Sequence, residues 1–357
     1  MSAPPFGVAI LGCAHGHARM YAEVWRRTPR LGVRPLMVWD RQEDRAKAFA
    51  EPLGLPTAPS LEAALHHTGV EGVVIASETA FHAELVERAA DAGKAIVLQK
   101  PVALTLADAD RIVAAVARRG IRFTMAWQMR ADPQNLRMKA LVEEGVLGRI
   151  FLVRRRHCLN AHRWPGFESS WHLQPELNCD LFADDASHPI DFIYWLMGMP
   201  SHVIAELSSL RSPAIRHDNA VVLFCYGDGR LAEVSCTFVA PAGELTTEIV
   251  GEHGLLIQQY GDLVSAATPR MRGGVSLRWI REGDAAWTIE VRRGVRHHGD
   301  RISGLAASLA DFFHGRRLPL ATAGEGRDVL RLTLACYESA ESGRRVCLNP
   351  STSQKEI

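Results

Sequence analysis

Two short stretches of this 357-residue chain carry side chains that can hold and move protons. In residues 95–105 an apolar run, Ala-Ile-Val-Leu, reads as a buried parallel strand, and Gln99-Lys100-Pro101 ends it because proline cannot continue a ladder. A lysine at the carboxyl end of a buried strand stands where open α/β sheets place their ligands. The chain has five lysines against thirty-six arginines, so a compact, tunable ammonium here reads as chosen, the other reading being a loop-edge lysine bonded to a carbonyl. The second stretch is Asp184-Asp-Ala-Ser-His188-Pro-Ile-Asp191. Read as the opening of a helix over residues 184–197, it places Asp184 and His188 on one face, with Asp191 nearly a turn further. Lys100, Asp184 and His188 together make a proton-handling trio. The other reading is an aspartate completing a helix dipole beside a half-buried histidine.

The elements that must position Lys100 begin with an apolar strand over residues 6–11. It runs into Gly12-Cys13-Ala14-His15-Gly16-His17 and then a helix, the strand–turn–helix of a dinucleotide site. Only Gly12 falls in register with G-x-G-x-x-G; Ala14 and His17 take the second and third glycine positions, and Gly16 is one place off. A second strand, 33–39, ends in Asp40-Arg41 before a helix over 43–50. Asp40, 28 residues past Gly12, is a candidate acceptor for an adenosine ribose, or else an N-cap. It favours NAD, while Arg41 leaves room for the 2′-phosphate of NADP. A helix over 61–67 and a strand over 72–76 follow, and Ser77-Glu78-Thr79 caps a helix running through His82. After the Lys100 strand come a helix (106–118), a strand (122–126) and a helix (134–144). Ser77, Glu78, Thr79, His82, Gln99 and Lys100 join the cofactor-binding set, and Gln128 and Arg130 lie at the pocket rim. This alternation predicts a Rossmann-type, doubly wound parallel sheet over residues 1–126.

From Gly148 the texture changes, and residues 127–357 are expected to form an α+β domain with a large, mainly antiparallel sheet. A long strand (149–160) and an irregular His- and Trp-rich segment precede the Asp184 helix. Strands are expected over 202–210, 219–226, 230–239, 245–251, 254–258, 275–281 and 286–293, with hairpins at Gly227-Asp-Gly229 and Glu282-Gly-Asp284. Helices over 302–314 and 325–343 are expected to pack back on the first domain. His157, Trp171 and Asp185 are candidates for contact with a sugar-like ligand, although a packed irregular loop explains the aromatic residues equally well.

A net charge of +1 gives no basis for nucleic-acid or membrane-surface binding. The seven cysteines are odd in number and form no C-x-x-C pair, which argues against a disulfide framework and a structural zinc site and fits a reducing cytosol. No apolar run reaches membrane-spanning length, and Asp184 and His188 lack metal-ligand spacing, so a cytoplasmic protein without a metal is expected.

In Gln99-Lys100-Pro101, Asp184-x-x-x-His188-x-x-Asp191, Glu144-Gly-Val-Leu-Gly148 and Ser339-Ala-Glu-Ser-Gly-Arg-Arg-Val346, the chain resembles the glucose–fructose oxidoreductase / inositol 2-dehydrogenase (Gfo/Idh/MocA) family. The resemblance implies NAD(P)-dependent interconversion of a hydroxyl and a carbonyl on a sugar, polyol or related small molecule, by a homodimer or homotetramer. It implies that Lys100 hydrogen-bonds the reacting oxygen, that His188 takes the hydroxyl proton and that Asp184 positions substrate or imidazole. Gln99 stands where the family has glutamate, and Asn178-Cys-Asp180 where it often has a glycine run. Two other readings share these residues: redox-neutral use of retained NAD in elimination or glycosidic cleavage, and a cofactor- or sugar-binding protein that has lost catalysis.

Overall fold

A computed structural model of the chain describes residues 4–261, 268–269, 274–290 and 298–348. The chain divides into two compact units. The first comprises Met1–Ala131, Gln174–Cys179 and Gly299–Leu330. Its sheet has five parallel strands: β1 (Phe6–Leu11), β2 (Val33–Trp39), β3 (Gly72–Ile75), β4 (Ala95–Leu98) and β5 (Phe123–Met125), in the order β2-β1-β3-β4-β5. β1, β3, β4 and β5 are apolar along nearly their whole length and buried at every residue, as strands covered on both faces must be. The order reverses at β1, so the carboxyl ends of β1 and β3 part at the switch point of the sheet. Helices α1 (His17–Arg27), α2 (Glu43–Ala50), α3 (Leu61–Leu65), α4 (His82–Asp91) and α5 (Leu106–Arg119) form the crossovers.

The second unit comprises Asp132–Leu173, Asp180–His298 and Arg331–Ile357. Its nine strands are β6 (Ile150–Cys158), β7 (His202–Ser208), β8 (Asn219–Cys225), β9 (Leu231–Thr237), β10 (Leu245–Gly251), β11 (Gly254–Gly261), β12 (Leu277–Arg281), β13 (Thr288–Glu290) and β14 (Val346–Cys347). They lie in the order β13-β12-β11-β10-β6-β9-β8-β7-β14, and only β6 and β9 pair in parallel. The remaining helices are α6 (Pro133–Glu143), the short α7 (Pro175–Asn178, in the first unit), α8 (Ser187–Met197), α9 (His298–Phe313) and α10 (Ala323–Ser342). Alternation along β6 sends Val153, Arg155 and His157 to the buried face and Arg154 and Arg156 outward. Arg155 Nη1 donates to Asn135 of α6 and Thr247 of β10, and its guanidinium lies 4.0 Å from the ring centroid of Phe192 in α8. That buried arginine ties α8, the helix bearing His188, to the sheet.

Residues 302–330 belong to the first unit: Trp25 Nε1 donates to Ala306 O at 2.8 Å, and Phe313 stacks on Phe6 at 5.0 Å. Three local expectations differ from the structure. Ser77-Glu78-Thr79 does not cap α4: Glu78 precedes a 3₁₀ turn over Thr79–Phe81 and bonds Arg45, and α4 begins after Phe81, whose ring has no atom to accept from the helix. The helix expected from Asp184 starts at Ser187, after a π-helical turn over Phe182–Ala186. The strand expected over 286–293 is Thr288–Glu290, and residues 291–293 of that expectation lie outside the described residues. Among the described residues no helix is long and apolar enough to cross a membrane.

Candidate active site

The carboxyl edge of the first unit's sheet gathers the expected cofactor residues. Gly12, at φ +84°, turns the chain directly against Ser77 at the end of β3, and a Cβ on it would lie 2.4 Å from the Ser77 nitrogen. Gly16 is ordinary in this respect: φ is −61° and nothing lies within 4 Å of an added Cβ. Neither Ala14 nor His17 has a positive φ, so the turn needs a glycine only at Gly12, which is why it survives the loss of the other two. His15 is buried against His17, their rings 4.2 Å apart. α1 starts at the turn with no side-chain cap and no acidic residue in its first turn. Its first N–H groups and positive dipole end fit a pyrophosphate, and the open space at Gly16 gives one room. Cys13 offers only its backbone: burial, and then the Asp40 carboxylate, push its thiol far above the ordinary range.

Asp40 is neither an open acceptor nor an N-cap. Its Oδ2 accepts from Cys13 N (2.6 Å) and Arg45 Nε (2.9 Å), and its Oδ1 from Gln42 N (2.8 Å) and Arg45 Nη2 (2.9 Å). Arg45 also bonds both Glu78 oxygens. A ribose would reach Asp40 by taking the place of Arg45. Arg41 is paired with Glu84 and stacked over Phe81. Thr79 Oγ1 donates to Asn178 within the same unit. Arg130, expected at the rim, is turned inward, where its Nη1 donates to Leu320 O (2.9 Å) and Glu325 (2.5 Å); Gln128 is buried close by in the same 3₁₀ turn.

Lys100 follows β4 and is 4% exposed. Its neighbour Gln99 is fully buried and donates from Nε2 to Tyr21 OH at 3.0 Å. A neutral amide suits that enclosure better than a carboxylate would. His82 braces the turn after Lys100: Nδ1 lies 2.9 Å from Pro101 O and Nε2 lies 3.3 Å from Ser77 O. Burial lowers its pKa from 6.5 to about 4, against the upward pull of these carbonyls. The folded protein therefore holds His82 neutral while the unfolded chain protonates it. The resulting stability is complete above pH 6.5 and is lost as pH falls towards 4, by about 3 kcal/mol over that window. Urea unfolding at a series of pH values is expected to show this acid slope in the wild type and a shallower one in His82→Gln; equal slopes would exclude His82 as its source.

In the second unit, His188 is the second residue of α8 and 3% exposed. Its Nε2 lies 3.8 Å from Asp185 Oδ1, and its ring is 6.3 Å from that of His157, which β6 presents from the sheet. Asp184 is buried, and its carbonyl accepts from Ser187 Oγ at 2.6 Å. The wide π turn changes the expected geometry, since Asp184 and His188 are not one α-helical turn apart. Such turns recur at functional sites, and here Asp185 within the turn lies 3.8 Å from the imidazole. Pro189 falls in the first turn of α8, where a missing N–H costs little. Trp171 stacks on His172 at 4.0 Å in the 3₁₀ turn 171–173.

Three residues outside the expected set hold this stretch. Asp180 accepts from Ala183 N (2.9 Å), Tyr337 OH (2.5 Å) and His217 Nδ1 (2.6 Å). His217 has φ +52°, a conformation that costs a non-glycine residue about 1–3 kcal/mol and persists only where its surroundings impose it. Ser209 Oγ, accepting from His217 N at 2.9 Å, and the edge-on ring of Tyr337 do so. The one sequence signal for this cluster is the aspartate standing in place of a glycine run.

Two family models match the chain. One is described as an oxidoreductase family with an NAD-binding Rossmann fold, over residues 6–127; the other as a GFO/IDH/MocA C-terminal domain, over residues 135–257. An inositol 2-dehydrogenase of Streptomyces avermitilis is 33% identical over 321 residues, covering 85% of this chain and 89% of the relative. A D-apiose dehydrogenase of Paraburkholderia graminis is 28% identical over 263 residues, covering 70% and 67%. Among solved structures, levoglucosan dehydrogenase in complex with NADH and levoglucosan has a TM-score of 0.82 at 22% identity, covering 97% of this chain and 100% of that one. An NAD-binding oxidoreductase from Klebsiella pneumoniae has a TM-score of 0.81 at 18% identity, covering 98% and 100%.

Proposed function

The chain belongs to the GFO/IDH/MocA family of NAD-binding oxidoreductases, and on that premise we propose that it interconverts a ring hydroxyl and a ketone on a cyclic polyol or sugar. The observation that carries the reading is the buried His188 imidazole beside Asp185, in a chain whose other unit presents Lys100 after β4. NAD, when bound, supplies the hydride acceptor. The backbone of residues 12–17 and the start of α1 hold its pyrophosphate, and Asp40 holds the adenosine ribose once Arg45 gives way. Ser77–Thr79 and Gln99 complete that wall, with His82 behind it. His188 takes the hydroxyl proton, and Asp185 favours the imidazolium that results. Lys100 donates a hydrogen bond to the same oxygen as it gains negative charge. Asp184 positions the imidazole, while Gln128, His157 and Trp171 face the substrate. Arg130, paired with Glu325, supports Gln128 in the same 3₁₀ turn.

The buried Asp40 carboxylate disfavours a 2′-phosphate, so NAD is the expected partner over NADP. Assembly as a homodimer or homotetramer is part of the same proposal. The outward face of the second unit's sheet carries exposed Phe151, Val221 and Leu231 among Arg154, Glu233 and Glu248, a mixed surface suited to self-association. A cytoplasmic location agrees with the thiols of Cys13, Cys158, Cys225, Cys236 and Cys336, which form no disulfide among the described residues.

The test is NADH formation from NAD with myo-inositol and a panel of cyclic polyols and sugars, repeated with NADP. The expected result is sustained NADH production from at least one of them, with kcat/KM at least about tenfold higher for NAD. Turnover without net NADH would favour redox-neutral chemistry, and failure to bind either nucleotide in a calorimetric titration would sink both enzymatic readings.

A further inference from the structure

The first unit holds a second concave site, at the amino-terminal end of its parallel strands. A cavity of about 760 Å³ opens beside the first residues of β1 and β2, next to the turn joining α1 to β2 and the end of α9. A volume of that size suits a small molecule. β1 has six residues, so the cavity lies about 18 Å along the strand from the Gly12 turn, at the other edge of the sheet.

Its walls are stiff. Pro4, Pro5, Pro29 and Pro35 line it, with fixed backbones and no rotamers to freeze. The indole of Trp25 is held from behind by its bond to Ala306 O. His314 closes one side, with Nε2 3.0 Å from Gly32 O. A ligand entering here meets a surface that is already formed.

The charge of the lining is one-sided. Arg26, Arg30 and Arg34 all line the cavity and are exposed, and among the described residues none of them is in an ion pair. Among the described residues no aspartate or glutamate lines it. Among the described residues other exposed arginines are divided: Arg88 has Glu62, Arg111 has Glu87 and Asp108, and Arg119 has Asp91, whereas others such as Arg163 and Arg211 have no acidic partner. Even at this rim Arg316 is paired with Asp311. Three guanidinium groups around one stiff apolar hollow repel one another, and a multiply charged anion relieves that repulsion while its apolar body fills the space.

We propose that this cavity binds a small organic phosphate, a dianion attached to a compact apolar body, at a site separate from that of the dinucleotide. The phosphate is held by the guanidinium forks of Arg26, Arg30 and Arg34, whose planar donors match its oxygens. The apolar body lies between the prolines and Trp25. Because the strands separate the two sites, the organic phosphate and NAD bind together without competing.

The test is isothermal titration of 1-naphthyl phosphate into the full-length protein, at low salt, with and without saturating NAD. One saturable site per chain is expected, with the same Kd in both titrations. Arg26→Glu/Arg34→Glu should raise that Kd at least about tenfold, while Arg118→Glu/Arg149→Glu, an equal change of charge at exposed positions away from the cavity, should leave it within about twofold. All four positions are exposed, so both double variants are expected to melt like the wild type. No saturable binding, displacement by NAD, wild-type affinity in the first double variant, or equal weakening in both would each overturn the assignment.

Discussion

His188→Ala is expected to lower kcat by about 10²–10⁴-fold, the usual worth of a positioned acid–base group, while the protein still melts cooperatively. The imidazole sits near the start of α8, 3% exposed, with a carboxylate 3.8 Å away. Lys100→Ala is expected to be about as damaging, because the oxygen that loses its proton to His188 then lacks a donor for its growing charge. Both places keep other anchors: α8 stays fixed through Arg155 and Phe192, and the turn after β4 through His82. The double variant should be little worse than either single one if, as proposed, both groups act on one proton transfer. Initial rates of NADH formation with each variant, set beside its melting temperature, check this. Near-wild-type rates in both single variants would remove the assignment.

Gly12→Ala should be the most damaging change at the cofactor turn, and Gly16→Ala among the mildest. At Gly12 the new Cβ would sit 2.4, 2.5 and 2.6 Å from the nitrogen, Cα and Cβ of Ser77, and φ is +84°. Backbone strain alone costs about 1–3 kcal/mol, and the clash is with main chain, which cannot swing aside. Ser77 would have to move, and with it Glu78, Arg45 and the four hydrogen bonds that hold Asp40. The expected outcome is a Kd for NAD at least about tenfold higher, together with a lower melting temperature. Gly16 has open space and an ordinary φ, so its alanine variant should bind NAD within about threefold of the wild type. NAD titrations of the two variants side by side decide it; equal effects would mean that the turn does not work as described.

Much of the frame was legible in the chain because it rests on local signals. The apolar runs at 6–11, 72–76 and 95–98 predict buried strands, and Gly227-Asp-Gly229 predicts the β8–β9 hairpin. What was not legible depends on partners far along the chain. Asp180 owes its role to His217 and Tyr337, 37 and 157 positions away, and no spacing rule reaches that far. Arg130 turns inward because Glu325, 195 positions on, meets it there. Asp40 reads as an open ribose acceptor until Arg45 and the Cys13 nitrogen are seen to hold it. The π turn before α8 is invisible for a different reason: it changes the number of residues per turn without changing which residues are apolar.

In the proposed mechanism Lys100 and His188 serve one oxygen. A crystal structure with NAD and the polyol that the enzyme turns over measures this directly. The expected result is a single substrate oxygen within about 2.6–3.2 Å of both Lys100 Nζ and an imidazole nitrogen of His188. A substrate held with its reacting oxygen out of reach of either group would contradict it.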